Sequence, residues 1–412
     1  MTNESRESGF EKSSKTNPEK SAKIFVFVLL IGNFFRNLGS SIVQVGLPSF
    51  ILSLSGTLVS YGLVISIFSL TQAIFQLPFA FSSDKYGRRK IIMIGFTIYI
   101  IGTFLCFYAQ TFIQLIMFRA IQGAGAYSSI LQAMIGDYYR REEHGKGMAY
   151  YSFSLSLGFL GGIVLGGYIS YFFGFRVVFL FSGILTIVSA VLILFFFKDL
   201  RSMNHNGDNV NNQIEKIRAS SLKLLFKNKQ FRVVIILNCI RWFLFGGLVA
   251  YLVWVLEMHW HLSEIETSYF LVFIVGTYIS FVLFSGKLVD RFDSKSIILI
   301  GQGLIMSMGV FVVIVVITNS LAIFLIACLF TGIGFALYQT AGNTQLLRII
   351  DDSHPELKGS GFGFNNGIGF LCSAFGPVVI CYIGEISLFY SFYIISFITL
   401  IVFFLTLKFL RK

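Results

Sequence analysis

Charge is scarce in this sequence. Asp, Glu, Lys and Arg make up 13% of the 412 residues, with 20 acids in all, where a soluble domain is nearer a quarter charged. That excludes an ordinary water-soluble globule. Cysteine is also scarce: Cys106, Cys239, Cys328, Cys372 and Cys381 all fall inside apolar runs with no paired spacing. They read as small apolar residues, with neither a disulfide framework nor a zinc site. The five histidines, His144, His205, His259, His261 and His354, form no ligand cluster. There is no Gly-x-Ser-x-Gly, no His-Glu-x-x-His and no phosphate-binding glycine-rich loop with lysine, so an enzyme finds no support. Residues 1–22 are polar and lack an apolar h-region, which argues against a cleaved signal peptide and for a disordered tail.

What the chain has instead is apolar length. Hydrophobic residues account for 55% of it, including 48 Phe. Stretches of about 20 apolar residues, each able to cross a ~30 Å hydrocarbon core as a helix, recur along nearly its whole length. Helices are expected because backbone polar groups in lipid must be satisfied within the segment, and a barrel would show alternation. Twelve spans are expected near 24–52, 59–81, 91–109, 112–136, 147–172, 176–197, 231–257, 266–289, 296–318, 320–344, 360–383 and 387–407. Nearly all of the 32 Lys and Arg then lie in the tails or in loops on one side, with Arg176 in a loop on the other. The positive-inside rule places both termini and the central loop in the cytoplasm, as in a multi-pass plasma-membrane protein. The net charge of +12 is therefore a topology signal and no pointer to nucleic acid.

The long polar break 198–230 divides the spans six and six. The expected organisation is a disordered tail 1–22, a six-helix bundle 23–197, the cytoplasmic loop 198–230, a second six-helix bundle 231–408 and a tail 409–412. Within the loop, Ile214, Ile217, Leu224 and Leu225 at near-helical spacing among lysines suit either an interfacial helix or a solvated linker helix. The two halves echo each other. "NFFRNLG" (33–39) returns as "NCIRWFL" (238–244), "GAG" (123–125) as "GIG" (332–334), and Gly162 as Gly376. A duplicated six-helix unit leaves such a trace, and in transporters the substrate site lies between the halves near the midplane.

One knot of charge stands out: "AFSSDKYGRRK" (80–90), returning in degenerate form as "GKLVDRFDSKS" (286–296). It resembles the Gly-x-x-x-Asp-Arg/Lys-x-Gly-Arg/Lys-Arg/Lys signature of the major facilitator superfamily, with Ala80 where the family prefers glycine. The resemblance implies an all-α membrane protein of twelve transmembrane helices in two pseudo-symmetric bundles. It implies cytoplasmic latches at Asp84, Gly87, Arg88 and Arg89 and at Gly286, Asp290 and Arg291. Physically, Gly87 permits the tight turn and Arg88, Arg89 and Lys90 anchor the third span. "FRAIQGAGA" (118–126) is similar to the drug:proton antiporter motif, which gives Arg119, with Gln122, Gly123 and Gly125, a proton-coupling role. A purely structural arginine bonding backbone carbonyls is the alternative. "GFLGGIVLGG" (158–167) resembles the antiporter glycine motif through Gly158, Gly162, Gly166 and Gly167, with Ile163 in place of its proline. Together these motifs are most similar to YajR-like exporters without their soluble C-terminal domain.

Arg36 lies ~20 Å along span one and Arg241 ~14 Å along span seven, both too deep to snorkel. They are expected to face an aqueous cavity, with Asn33, Gln44, Asn238, Trp242, Tyr251 and Trp254 on the same two helices. Span one has no carboxylate: Gly39 stands where a related exporter motif places aspartate, and only Asp137 and Glu257 approach the membrane. Two functions fit. The first is export of small amphipathic organic compounds by alternating access, driven by the proton gradient with no cofactor, by a protein working as a monomer. The second is transport or exchange of organic anions or phosphorylated metabolites through Arg36 and Arg241.

Overall fold

A computed structural model describes residues 18–127, 130–131, 144–195, 224–354 and 358–410. It is helical throughout, with no strand among the described residues. The helices are α1 (Pro18–Ser41), α2 (Leu47–Ser53), α3 (Leu58–Tyr86), α4 (Arg88–Phe107), α5 (Phe112–Ala124), α6 (His144–Phe173) and α7 (Phe175–Phe195), then α8 (Lys229–Trp254), α9 (Glu264–Arg291), α10 (Ser294–Thr318), α11 (Leu321–Ser353), α12 (Lys358–Ile386) and α13 (Tyr390–Phe409). Ten helices among the described residues are long and apolar enough to span a membrane, and α5 is a shorter apolar one. The α8 helix continues as one π-helical turn, Val255–His259.

The single span expected over 24–52 is broken. The α1 helix stops at Ser41 and the chain turns through Gly46, at φ +80°, into the separate helix α2. Only glycine adopts that backbone freely, and Pro48 in the first turn of α2 favours a fresh helix start. The span expected over 112–136 also stops early, since α5 ends at Ala124 and the chain leaves the helix through Gly125; two other apolar stretches understate their helices. The α3 helix runs to Tyr86 and α11 to Ser353, past the ends of the runs expected at 81 and 344. Gly87, at φ +94°, forms the whole link between α3 and α4.

Glycines mark where helices of one half touch backbone to backbone, and they do so twice over. A Cβ at Gly125 would stand 2.6 Å from the Gly95 carbonyl oxygen and 2.7 Å from the Tyr99 nitrogen; at Gly334 it would stand 2.6 Å from the Gly301 oxygen and 3.0 Å from the Ile305 nitrogen. Likewise Gly162 meets the Leu38 carbonyl at 2.4 Å and Gly376 the Phe243 carbonyl at 2.2 Å. Each partner in the second half lies at the sequence offset expected of the repeat. The duplication is thus a duplication of contacts, which small residues make possible by letting helix axes approach.

The halves meet at the ends of the helices away from the termini, called here the far face. Tyr61, near the start of α3, donates to the Ala250 carbonyl at 2.9 Å, and Ser66 accepts from Val378 N–H at 3.2 Å. Gly62 lies against the Pro377 carbonyl, and Gly167 of α6 against the Glu264 carbonyl of α9. The Tyr168 and Tyr269 hydroxyls meet across the same seam. Toward the terminal face, by contrast, Gly286 of α9 and Gly363 and Gly367 of α12 have open space around them. Removing one cross-seam hydrogen bond should therefore loosen the far face. In the Tyr61→Phe protein the open-to-closed ratio is expected to rise about 2- to 10-fold, from ~0.5–1.5 kcal/mol for one such bond. Spin-label distance distributions across the seam measure it.

Candidate substrate site

Besides Arg88 at the start of α4, three guanidiniums are buried within helices: Arg36 on α1, Arg119 on α5 and Arg241 on α8. Burying a cation without a carboxylate is costly unless other dipoles face it. Here those dipoles are carboxamides and ring faces. Arg119 donates to Gln122 Oε1 at 2.8 Å, Gln122 donates to the Thr103 hydroxyl at 2.8 Å, and Thr103 donates to the Tyr99 carbonyl. The Arg119 guanidinium lies 5.0 Å from the centre of the Phe68 ring. Arg241, only 1% exposed, donates to Gln339 Oε1 at 2.8 Å, and the same oxygen accepts from the Tyr278 hydroxyl at 2.6 Å. Its other face covers the Trp242 ring at 5.0 Å. Arg36 donates to Asn37 Oδ1 at 3.3 Å and stands 5.4 Å from the Tyr127 ring. Cation–π contacts of this kind contribute more when desolvated. In all three residues Nε has no hydrogen-bond partner among the described residues.

The remaining expected cavity residues separate into three groups. Trp242 stays with Arg241 and packs on Phe370 at 5.5 Å between centroids. Asn33 and Asn238 are buried at equivalent helix contacts: Asn33 donates to the Tyr151 carbonyl and Ser154 hydroxyl of α6, and Asn238 to Asn365 of α12 at 3.0 Å. Tyr251 and Trp254 lie ten and thirteen residues beyond Arg241, ~15 to 20 Å further along the helix, and so reach the far face. The Tyr251 hydroxyl donates to the Leu388 carbonyl, and Trp254 packs on Tyr61 across the seam at 5.5 Å. Gln44 sits half-buried in the turn before α2. Arg36 and Arg241, expected to face an aqueous cavity, each find their hydrogen-bond partners within their own half.

The motif residues are placed as follows. Gly158, Gly162 and Gly166 form one stripe on α6, against the Phe34 and Leu38 carbonyls of α1 and the Ile42 carbonyl just beyond its end. Gly167, one residue round the helix, belongs to the cross-half seam. Gly123 abuts the Phe68 carbonyl of α3. Arg88 is buried, whereas Arg89 and Arg291 are exposed. The side chains of Asp84 and Asp290 lie outside the described residues, as do Asp137, residues 1–17 and most of 198–230, including Ile214 and Ile217.

Glu257 is the residue whose placement sequence reasoning missed. Its burial depends on α2 folding back over the end of α8, and no periodicity in either segment announces that. A Gly-x-Pro turn at 46–48 is the one signal that could have suggested it. Among the described residues no group of His, Cys, Asp and Glu is arranged to hold a metal ion.

Comparison with known proteins places this geometry. The family model of the Major Facilitator Superfamily matches residues 29–377. Multidrug resistance protein 2 of Bacillus subtilis is 27% identical over 91% of this chain and 93% of its own. The inner membrane transport protein YajR of Escherichia coli is 27% identical over 52% of this chain and 46% of its own; several relatives, YajR among them, are matched over less than half of their length. Among solved structures, a bacterial homologue of the human lysosomal transporter Spinster, inward-facing and unoccupied, superposes with a TM-score of 0.77. It is 16% identical, covering 96% of this chain and 98% of that one, a likeness of fold alone.

Proposed function

The chain belongs to the Major Facilitator Superfamily, and from that premise we propose that it exports small amphipathic organic compounds by alternating access, drawing on the proton gradient. With the termini in the cytoplasm, the far face is external, and the conformation described is closed to the outside. The helices α1–α7 and α8–α13 act as two rocking bundles, 23–197 and 231–408, with Asp84 and Asp290 latching the terminal face when the far face opens. The export reading is carried by the Arg119–Gln122–Thr103 hydrogen-bonded chain, and the Gly158–Gly162–Gly166 stripe accompanies it elsewhere in the same half. It occurs in a chain whose multidrug-resistance relatives span nine-tenths of it. The chain holds a buried cation at a helix junction without fixing it to a carboxylate, an arrangement suited to responding to a passing charge.

The second reading is transport of organic anions or phosphorylated metabolites. It is favoured by the unpartnered Nε atoms of Arg36, Arg119 and Arg241 and by the absence of any carboxylate paired with them among the described residues. A site of uncompensated positive charge attracts anions and repels cations.

Purified protein in proteoliposomes separates the two readings. An imposed pH gradient should drive loss of lipophilic amphiphiles, and adding the amphiphile should in turn move protons. Movement of amphipathic anions that ignores the pH gradient would replace the first reading with the second.

A further inference from the structure

Glu257 is the only acidic side chain among the described residues that is buried, at 5% exposure. It lies in the π-helical turn that ends α8, and its carboxylate crosses to the other half. Oε1 accepts the Gly46 N–H at 2.7 Å, and Oε2 accepts the Ser49 hydroxyl at 3.2 Å. Both donors belong to the α1–α2 turn and α2. Both are neutral, so the carboxylate has hydrogen bonds but no counter-ion. The groups around it add none. From α9 the nearby charge is another carboxylate, Glu264. From α6 the Ser170 hydroxyl lies against Gly46 and has no partner among the described residues. Arg176 of α7 is turned onto the Phe50 ring and the Phe107 carbonyl. His259, on the same turn, packs on Trp260 and Phe389, and His261 follows it.

We propose that Glu257 is a proton-responsive latch of the far face, closing it through Gly46 and Ser49 and exchanging its proton as the face opens. When the halves part, the two donors leave with α2 and water takes their place around the carboxylate. The carboxylate therefore meets different surroundings in the two conformations and holds its proton with different strength in each. By linkage, proton binding and opening then bias one another reciprocally. The position also supplies what the rest of the membrane interior lacks among the described residues, a titratable acid on the path of the conformational change. The inference rests on the reading of the chain as an alternating-access transporter. Its test uses no substrate and no gradient, so its failure would leave the export reading standing.

The test is double electron–electron resonance on the full chain in nanodiscs. Labels are attached through a ketone-bearing amino acid at Gln110 and Glu385, exposed positions at the far face of the two halves, so the native cysteines stay in place. Between about pH 5 and about pH 8 the open-to-closed ratio of the unmodified protein should change severalfold, with a ceiling of about tenfold per pH unit for one linked proton. In the Glu257→Gln protein the pH response should be lost. The Ser49→Ala protein keeps the carboxylate and loses one donor; it should shift toward open at every pH while still responding to pH. An unmodified protein indifferent to pH, or a Glu257→Gln protein that responds like it, overturns the proposal. So does a Ser49→Ala protein with an unchanged distribution, which also decides the matter if the glutamine variant fails to fold.

Discussion

Valine at Gly162 should leave almost no folded protein to purify. A Cβ there would stand 2.4 Å from the Leu38 carbonyl and 2.0 Å from the Ser41 hydroxyl. The hydroxyl could rotate away, but the carbonyl is backbone and is held in register. Four residues on either side, Gly158 and Gly166 make the same approach to Phe34 and Ile42 at 2.5 and 2.2 Å. To admit one valine, α1 must therefore withdraw from α6 along three turns. The hydrogen bonds from Ser154 to the Leu30 carbonyl and from Asn33 to the Tyr151 carbonyl would go with it. Overpacking costs ~1–3 kcal/mol even where neighbours yield, and here the bonds add to it, against a total stability of ~5–15 kcal/mol. Gly376→Val, at the equivalent contact with Phe243, should do the same to the other half. Gly161→Val is the control: its nearest neighbour would be the end of the Leu38 side chain at 3.7 Å, and it should be tolerated. Monodisperse yield and apparent Tm on size exclusion measure all three.

Loss of Arg241 should act less on folding than valine at Gly162 and should remove activity toward anions. In the Arg241→Ala protein Gln339 keeps its bond from Tyr278, so no buried acceptor is orphaned. A charge-assisted hydrogen bond to a substrate anion contributes ~1.5–3 kcal/mol, so the initial rate for an anionic amphiphile should fall about 10- to 150-fold if the anion reading holds. Lysine should not rescue it, since a point charge cannot both lie on Trp242 and reach Gln339 as a planar guanidinium does. Gln339→Glu makes the converse test. It places a carboxylate 2.8 Å from the guanidinium, which should raise the apparent Tm and depress anion transport while leaving neutral amphiphiles unaffected. Equal losses for cationic, neutral and anionic amphiphiles in proteoliposomes would instead assign Arg241 to the machinery of rocking.

How much of this was legible beforehand follows from the range of the forces involved. Helix number and order are local, because each apolar run must satisfy its own backbone in lipid, so the runs read directly as helices. The repeat was legible too, since a glycine that abuts a carbonyl leaves a residue type no other can replace; Gly125 with Gly334 and Gly162 with Gly376 are such pairs. The break at Gly46 was hidden because its flanks, "SSIVQV" and "SFILSL", are as apolar as a span interior. The rotation of each helix was not legible. Arg36 and Arg241 share a repeat position, and nothing in their spacing says that each turns toward carboxamide and aromatic partners in its own half. Depth was underestimated as well. Tyr251 and Trp254 share α8 with Arg241, yet helical rise carries them to the far face. Glu257 lay furthest from reach, since its two donors are more than 200 residues away and meet it only when the whole assembly closes.

The far-face seam is built from hydroxyls, carbonyls, backbone amides, glycine approaches and the buried Glu257 carboxylate, and no contact described there joins a cation to an anion. Mobile ions screen exposed charges over a Debye length of about 8 Å at 0.15 M salt, and they act weakly on buried dipoles and on a buried carboxylate held by neutral donors. Closure of the far face is therefore nearly independent of ionic strength. The opposite face gathers the lysines and arginines around "SSDKYGRRK", and under the proposed rocking mechanism it would close through charges that salt reaches. On that proposal the two ends of the motion would answer to different features of the medium, and salt would shift the balance between them through the terminal end alone.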